Sequence, residues 1–415
     1  MKLSRRQFSG ALASAMVGVV AGPRLGRAEA KPIRIGVITS LTGFAQIYGE
    51  ANRIGAEIAA ERINAAGGVG GRKIEIVLRD DKASSDSTVA AFRDLAAQGV
   101  RLFLAGPISS TVVALAPLFK DTDNVLIAAG PNNLSITHEL FNKNVFRLQL
   151  TSVPVFAGLG KVVADKAPEV RDWIAISSDQ QANIDLSNIF MASLKKAHAA
   201  KGVDVTIRDI VLTKAGAGDF RAQISSLMNS GATGVLNSLV GSDSLTFYKQ
   251  AKSFGLDRKV KVFADVSANL NSMKTIASAV PQSVWTPYYW YAQGDGNPVS
   301  QELYKIATER TGTPFPYGFI ALAHDSVIAL ADAIRRAGSD SAPAVIAALE
   351  EGRPLGAVGP VVFRKEDHTY TGEMTFINFG AAPKEPEGLQ VNDVVRLLSI
   401  DYIEPATPGL PYILK

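Results

Sequence analysis

Cysteine is absent from this sequence of 415 residues. Thiol nucleophiles, thiolate metal ligands and iron–sulfur clusters are therefore excluded, and no disulfide can brace the fold. Histidine is scarce as well, and its four positions show neither the H-E-x-x-H motif nor another zinc-ligand spacing. They are His138, His198, His324 and His368. His198 lies among lysine and alanine residues of a predicted helix, so we expect its ring to face solvent.

Signatures of catalysis and of nucleotide binding are also lacking. The G-x-S-x-G elbow of serine hydrolases does not occur. The glycines of residues 67–71 follow a predicted helix and lack the Lys-Ser/Thr ending of a phosphate-binding loop, so we interpret them as a turn. We therefore predict no catalytic residue, no metal site and no cofactor. An exported enzyme stays open as a less favoured alternative, because missing motifs weaken that hypothesis without refuting it.

A hydrophobic run long enough to span a bilayer is missing too. The short apolar stretch of residues 11–20 follows a basic start and precedes the small-residue sequence of residues 28–30. This order is typical of an export signal that is later removed. We predict that residues 1–30 are a signal peptide and that the mature chain begins at Lys31, outside the cytoplasm. Residues 4–8 match the twin-arginine pattern, and an ordinary secretory signal is the alternative.

The excess of positive charge belongs to that first segment. The whole chain has 43 lysine and arginine residues and 39 aspartate and glutamate residues. Residues 1–30 contain five of the basic residues and one of the acidic ones, which leaves 38 of each kind in the mature chain. A neutral protein has no electrostatic reason to bind nucleic acid or an anionic membrane surface. We therefore predict no nucleic-acid partner.

The mature sequence does contain a regular alternation of buried-strand and amphipathic-helix patterns. Residues 33–38 are β-branched and mostly apolar, and the helix pattern that follows has one apolar face. The alternation starts again near residue 147, with further strands predicted at residues 173–177 and 203–211. It predicts an α/β fold of two doubly wound halves. We interpret the aromatic-rich residues 283–291 as a crossing back to the first half.

The loop between the first strand and the first helix is a candidate for ligand binding. Residues 39–49 are small and hydroxylated, and they include Tyr48. They follow a strand of a predicted parallel sheet, and open α/β sheets bind ligands at the carboxyl ends of their strands. The loop is also longer than most strand–helix connections. A purely connecting loop is the alternative.

Two later strand ends repeat this arrangement. Ser109 and Ser110 open a helix after the predicted third strand, where hydroxyl and backbone N–H groups suit a carboxylate. Helix capping explains these serines equally well. Ala129 and Gly130 follow the next strand in the same way.

Three stretches of the first third of the chain resemble a known family. They are I-G-V-I-T-S-L-T-G at residues 35–43, the pair Tyr48-Gly49, and I-N-A-A-G-G-V-G-G-R-K-I-E-I-V at residues 63–77 with two aspartates soon after. The chain resembles the branched-chain amino acid type of periplasmic binding proteins, the solute receptors of ABC importers. This resemblance implies the type I fold, in which two Rossmann-like lobes joined by three crossovers close like a hinge on one ligand.

The resemblance also implies where the lobes divide and which residues bind. Lobe one would comprise residues 31–148 and 286–360, and lobe two residues 149–285 and 361–415. The family's carboxylate-holding site falls on Ile108, Ser109, Ser110, Ala129 and Gly130, and its cleft-lining aromatic residue falls on Tyr48.

In the other lobe, the family's tyrosine-glycine pair is replaced here by Asn183-Ile184. The acidic residue that holds the ligand's ammonium group in the family falls near Asp265, for which helix capping is the alternative.

These assignments imply a small amino acid or a related carboxylate as the ligand and an ABC permease as the membrane partner. The amide of Asn183 keeps other ligands open as an alternative: an aromatic or aliphatic organic acid, an amide or urea. The sensing subunit of a signalling receptor is a second alternative with the same fold.

Overall fold

The computed structural model describes residues 31–294 and 296–413, so the predicted signal peptide lies outside the described residues. One parallel sheet, ordered β2-β1-β3-β4-β5, organises the first part of the chain. Its strands are β1 (Ile33–Thr39), β2 (Ile74–Asp80), β3 (Leu102–Ala105), β4 (Val125–Ala129) and β5 (Val145–Leu148). We call this sheet, with the helices packed on it, lobe one.

A second sheet, ordered β15-β14-β11-β10-β9-β6-β7 with β8 also paired to β6, defines lobe two. Its parallel strands are β6 (Asp172–Ser178), β7 (Thr206–Ile207), β8 (Val211–Thr213), β9 (Gly234–Ser238), β10 (Val262–Asp265) and β11 (Val284–Tyr288). A small hairpin of β12 (Leu355–Gly356) and β13 (Gly359–Pro360) stands apart from both sheets. The last two strands, β14 (Glu373–Ala381) and β15 (Leu389–Leu398), join lobe two in antiparallel orientation.

The helices cover the faces of the two sheets. They are α1 (Gln46–Ala65), α2 (Ser85–Ala97), α3 (Ser109–Leu115), α4 (Ser152–Lys166), α5 (Gln181–Ala199), α6 (Arg221–Ser230), α7 (Ser242–Phe254), α8 (Leu270–Met273), α9 (Pro298–Thr311), α10 (Phe319–Ala337) and α11 (Ala342–Glu351). The strongly apolar α10 packs on α1 and on the sheet of lobe one. A Cβ added at Gly55 would lie 2.0 Å from the carbonyl oxygen of Ile320, so α1 and α10 meet backbone to backbone.

Within the described residues, the chain passes between the sheets three times. The crossings are residues 149–151, residues 289–297 and residues 361–372. The two-lobed α/β architecture that the alternation predicts is thereby confirmed. The predicted lobe boundary at residue 285 falls inside β11, which the antiparallel β14 holds in the sheet of lobe two.

Two sequence-based expectations need correction. The strand predicted at residues 203–211 is instead the two short strands β7 and β8, each paired with β6. His198 does not face solvent, because α5 packs on α4 and buries its ring. Neither ring nitrogen of His198 makes a hydrogen bond among the described residues. Burial lowers its pKa, and the nearby Lys201 and Arg171 lower it further, so the ring is neutral.

The segment after β15 returns to the first crossing and closes a buried polar cluster. The Glu404 carboxylate accepts a hydrogen bond from the Thr151 hydroxyl at 2.8 Å and lies 3.3 Å from Nε2 of His138. Burial raises the pKa of Glu404, but His138 and the charge of Arg147 outweigh it and hold that pKa below its ordinary value. The cluster therefore ties the end of β5, the first crossing and the residues beyond β15 together.

Candidate functional site

A cavity of about 290 Å³ lies between the two lobes. Lobe one contributes Tyr48 and the start of α10, and lobe two contributes the start of α4, the residues just after β10 and the end of β11. The first and second crossings contribute further lining residues. A site with walls on both lobes and on the connections between them changes shape when the lobes move.

Aromatic rings form one wall of this cleft. The ring centroid of Tyr48 lies 5.3 Å from that of Phe319 and 5.8 Å from that of Tyr317. The ring of Tyr289, from the second crossing, lies 5.5 Å from that of Phe319. Tyr48 and Tyr289 keep 39% and 38% of their surfaces exposed, so these rings are available to a ligand. Such a wall suits a flat, apolar ligand body.

Hydrogen bonds to β2 and the turn after it fix the loop that leads into α1, whose first turn carries Tyr48. The Asp80 carboxylate accepts from the Thr42 hydroxyl at 2.7 Å and from the backbone N–H of Leu41 at 2.9 Å, and the Ser40 hydroxyl donates to Asp81 at 2.7 Å. Burial raises the pKa of Asp80, but these donors outweigh it and leave the pKa lowered. The carboxylate of Asp80 therefore stays ionised and holds the loop.

Close packing also fixes the position of the Phe319 ring. Gly130, just after β4, has a φ of +110°, and a Cβ added there would lie 2.6 Å from the Phe319 ring. Only a residue without a side chain lets the Phe319 ring approach this closely.

Two buried polar groups in the cleft lack a partner. Gln149 is 5% exposed, and its Oε1 accepts from the backbone N–H of Leu150 at 3.0 Å. Its Nε2 makes no well-formed hydrogen bond with the described residues, although it lies near enough to the Tyr289 hydroxyl to offset part of the rise that burial causes in the pKa of Tyr289. The Tyr288 hydroxyl, in a side chain that is 6% exposed, likewise has no well-formed hydrogen bond there, although the backbone N–H of Leu270 lies near it. Burial raises the pKa of Tyr288, so the group is a neutral phenol that can donate a proton. Because an unpaired buried polar group costs about 1–3 kcal/mol, both groups favour a ligand that bonds to them.

The start of α4 adds donors on the same side of the cleft. Thr151 and Ser152 line the cavity, and Thr151 is the residue that precedes this helix. The Thr151 hydroxyl donates to Glu404 and does not cap α4. The residue that precedes α4 therefore gives no side-chain acceptor to the first backbone N–H groups of the helix, those of Ser152 and Val153, and Pro154 has no N–H. Such a helix start attracts an anionic group.

No formal charge faces this cavity from the described residues that line it. They include tyrosine, asparagine, glutamine, serine and threonine, but no aspartate, glutamate, lysine, arginine or histidine. No group of three or more histidine, aspartate or glutamate residues in the described ranges could hold a metal ion. The arrangement can bind a carboxylate through neutral donors, but it offers no carboxylate to an ammonium group.

The family model of the periplasmic binding proteins matches residues 32–382 of this chain. The chain belongs to the periplasmic binding protein family. Among the residues described, no helix combines the length and the apolar composition needed to cross a membrane.

Individual relatives agree with this membership. The chain is 28% identical to the leucine-, isoleucine-, valine-, threonine- and alanine-binding protein of Pseudomonas aeruginosa over 55% of its own length, and it spans about 60% of that relative. A solved structure from Rhodopseudomonas palustris, described as an ABC-type branched-chain amino acid transporter, superposes with a TM-score of 0.76 at 19% identity, covering 91% of this chain and 99% of that one.

A second solved structure, from R. palustris BisB5, is a solute binding protein of an ABC transporter in complex with 3,4-dihydroxybenzoic acid. It superposes with a TM-score of 0.71 at 17% identity and covers 89% of this chain and 98% of that one. The relatives are binding proteins rather than enzymes, and this periplasmic binding protein is one too.

The lobe-one residues predicted to bind are spread over three strand ends. Tyr48 lines the cavity, and Gly130 with the preceding Ala129 lies behind the Phe319 ring. Ile108, Ser109 and Ser110 begin α3 at the carboxyl end of β3, where Ile108 precedes the helix and Ser110 is exposed. None of these three lines the cavity, so their contact with a ligand stays a prediction.

The two residues predicted in lobe two are engaged within the protein. Asn183 is buried, and its Nδ2 donates to the carbonyl oxygen of Ser238 at 2.7 Å, which ties α5 to the end of β9. Asp265 is fully buried. Its Oδ2 accepts from Tyr248 at 2.9 Å and from Asn237 at 2.8 Å, and its Oδ1 accepts from the backbone N–H of Ser267. In this geometry neither residue lines the cavity, so their contact with a ligand stays a prediction.

Sequence reasoning missed Gln149, Tyr288 and the start of α4. Residues 283–291 are aromatic-rich and were interpreted only as a crossing, although β11 and Tyr289 bring two of their tyrosines to the cleft. The sequence Thr151-Ser152-Val153-Pro154 carries the signal of a helix start and could have drawn attention to α4. Nothing in the sequence shows that the amide of Gln149 has no partner, because that depends on the packing.

Proposed function

We propose that this binding protein is the extracytoplasmic solute receptor of an ABC importer. It captures a small organic acid in the interlobe cleft and delivers it to a permease in the membrane. The importers named among its structural relatives support this role. In this proposal residues 1–30 direct export to the periplasm and are removed.

One observation carries the ligand class: the unpartnered, buried Nε2 of Gln149 faces a cleft without charged side chains, next to a helix start without a side-chain cap. The acid's carboxylate accepts from Gln149 and from the first N–H groups of α4. Its flat apolar body lies against the rings of Tyr48, Tyr289 and Phe319. The solute binding protein that was solved with 3,4-dihydroxybenzoic acid supports an acid of this shape.

Binding favours lobe closure only through better contacts in the closed form. An acid bound at Gln149 and α4 touches the first crossing and lobe two, whereas the ring wall belongs mainly to lobe one. Closing the lobes brings both sets of contacts onto one ligand. The permease then recognises the closed form.

An amino acid ligand is the second candidate, because a relative of this chain is named for leucine, isoleucine, valine, threonine and alanine. Its ammonium group would have to use neutral acceptors such as the side-chain oxygens of Asn132 and Asn269, which line the cavity. The missing carboxylate in the cavity lining makes this the weaker proposal.

A thermal-shift screen of the purified protein tests both candidates. Benzoate, 4-hydroxybenzoate, 3,4-dihydroxybenzoate and cinnamate represent the acids, and leucine, isoleucine, valine and phenylalanine represent the amino acids. Benzamide and urea test the neutral alternatives. A ligand present at a hundredfold over its Kd adds about 2.7 kcal/mol to the free energy of unfolding, which raises the melting temperature by several degrees. A shift with acids supports the first proposal, a shift with amino acids that Gln149→Leu abolishes supports the second, and no cleft-dependent shift refutes both.

A further inference from the structure

A second cavity, of about 380 Å³, lies beside the second crossing. Tyr289 lines both this cavity and the cleft. One wall consists of residues 296–298, where the second crossing enters α9, and of the β12–β13 hairpin, which contacts α10 of lobe one; the facing wall consists of β14 and β15 of lobe two. The space is therefore bounded by both lobes, as the cleft is, but it has a different chemistry.

Two opposite charges face this second cavity from neighbouring strands. Thr375 on β14 pairs with Arg396 on β15, and Glu373 pairs with Leu398. Residues that pair across antiparallel strands point to the same face. Glu373 and Arg396 are therefore diagonal neighbours on one face, with Cα atoms about 7–8 Å apart. Both are only partly buried, and the described residues include no ion-pair partner for either charge.

The guanidinium of Arg396 is held in place but keeps free donors. Its Nη2 donates to the carbonyl oxygen of Tyr291 at 2.9 Å, which fixes the side chain against the second crossing. A guanidinium has five N–H donors, so most of them remain for another acceptor. A carboxylate can take two of them in parallel.

Hydrogen bonds within the protein hold the hairpin wall of this second cavity in place. The Asp325 carboxylate, fully buried in α10, accepts from the backbone N–H groups of Ala357 and Val358 at 2.7 and 2.9 Å. Asn297 donates to the carbonyl oxygen of Gly356 at 2.8 Å. These bonds fix the hairpin to α10 and to Asn297. A ligand that bridges the two walls loses less entropy when its site is already ordered.

We propose that this second cavity binds a small zwitterion of the amino acid class, with its carboxylate on Arg396 and its ammonium group on Glu373. The two charges that such a ligand requires are present here, whereas the lining of the cleft has neither. The apolar part of the ligand lies against the exposed Leu355 of the hairpin.

Occupancy of this site depends on the position of the lobes, because its walls belong to both. A bound zwitterion and a bound cleft ligand therefore influence each other's affinity, and the effect is equal in both directions. The second site would make uptake of the cleft ligand responsive to the supply of a different solute.

Titration calorimetry on the purified protein tests the site, with glycine, L-alanine, L-leucine and L-glutamine as probes. We expect at least one probe to bind, and we expect Arg396→Gln and Glu373→Gln each to weaken it about tenfold or more, because each removes a charge-assisted bond. Arg93→Gln, an exposed arginine on α2, is the matched control for charge removal. Gln149→Leu is the cleft control, and neither control should change the probe's affinity.

Probe chemistry gives a test that does not depend on how the variants fold. The N-acetyl derivative of the best probe lacks the ammonium group, and the amide derivative lacks the carboxylate, so both should bind the wild-type protein much more weakly. Retained binding of either derivative overturns the zwitterion assignment. Binding that survives Arg396→Gln and Glu373→Gln but disappears in Gln149→Leu places the amino acid in the cleft and overturns the second site. Failure of every probe also overturns it, whereas the acid screen on the cleft is unaffected.

Discussion

Replacing Gln149 with leucine should weaken binding of an acid in the cleft while leaving the fold almost as stable. The amide contributes two separate features. Its Nε2 makes no well-formed hydrogen bond with the described residues and is the donor that we assign to the ligand's carboxylate, and its Oε1 accepts from the backbone N–H of Leu150 at 3.0 Å.

The expected size follows from these two features. A hydrogen bond to a charged group contributes about 1.5–3 kcal/mol, so losing it should raise the Kd by roughly 10- to 150-fold. Losing Oε1 leaves a buried N–H without an acceptor, which costs about 1–3 kcal/mol in the free energy of unfolding. Removing the unpartnered Nε2 gains a similar amount, because that group is also buried without a bond. The two stability terms oppose each other, so affinity should change much more than the melting temperature.

Titration of whichever benzoate gives the largest thermal shift measures this effect. Gln149→Glu is the matched control, since it keeps an oxygen for Leu150 and nearly the same shape but replaces the donor with an acceptor. We expect the glutamate variant to bind the acid even more weakly than the leucine variant. Wild-type affinity in either variant would refute the assignment of Gln149 to the carboxylate.

Three further changes test other parts of the structure. Glu404→Gln should lower the free energy of unfolding by about 1–3 kcal/mol at pH 7. Because folding depresses the pKa of Glu404, its contribution to stability is present above the ordinary pKa of 4.5 and is lost as the pH falls through the folded value. The difference in melting temperature between the wild-type protein and the variant should therefore shrink below pH 4.5. A difference that persists in acid would contradict this. Gly130→Ala should destabilise the protein by about 1–3 kcal/mol, since the new Cβ meets the Phe319 ring. Gly70 also has a positive φ but has open space around it, so Gly70→Ala should cost only about 1 kcal/mol in the same thermal melts. Asp80→Ala removes the bonds that hold the first loop and should weaken acid binding several-fold by calorimetry, and an unchanged Kd would show that the loop does not position the ring wall.

Much of the fold could be predicted from local sequence patterns. β1 is β-branched and buried, so it was predicted close to its observed bounds, and the pattern of α1 places one apolar face on the sheet. The loop predicted at residues 39–49 was too long, because α1 already begins at Gln46. β15 was not predicted, because it is an edge strand in which polar residues such as Asn392 and Arg396 interrupt the apolar pattern. His198 was expected in solvent because its sequence neighbours are polar, whereas its burial depends on α4, a helix distant in sequence.

The candidate site was predictable only in part. The rule that ligands bind at strand ends led to Tyr48, which does line the cleft. The same rule led to Asp265, which is at a strand end but turns its carboxylate into a network with Tyr248 and Asn237. Side-chain direction decides between these outcomes, and it is set by packing with residues far along the chain. The unpartnered amide of Gln149 is a property of its three-dimensional surroundings and leaves no trace in the sequence.

The three crossings also bear on how the protein folds. Neither lobe is a continuous segment: lobe one needs α10 to cover its sheet, and lobe two needs β14 and β15 to complete its own. Most stabilising pairings therefore join residues distant in sequence, and such pairings form slowly. A fragment cut at any one crossing would expose a bare sheet face or an unpaired strand edge and would tend to aggregate. The three crossings thus make the folding of the lobes interdependent, because a segment from later in the chain must return before either lobe is complete.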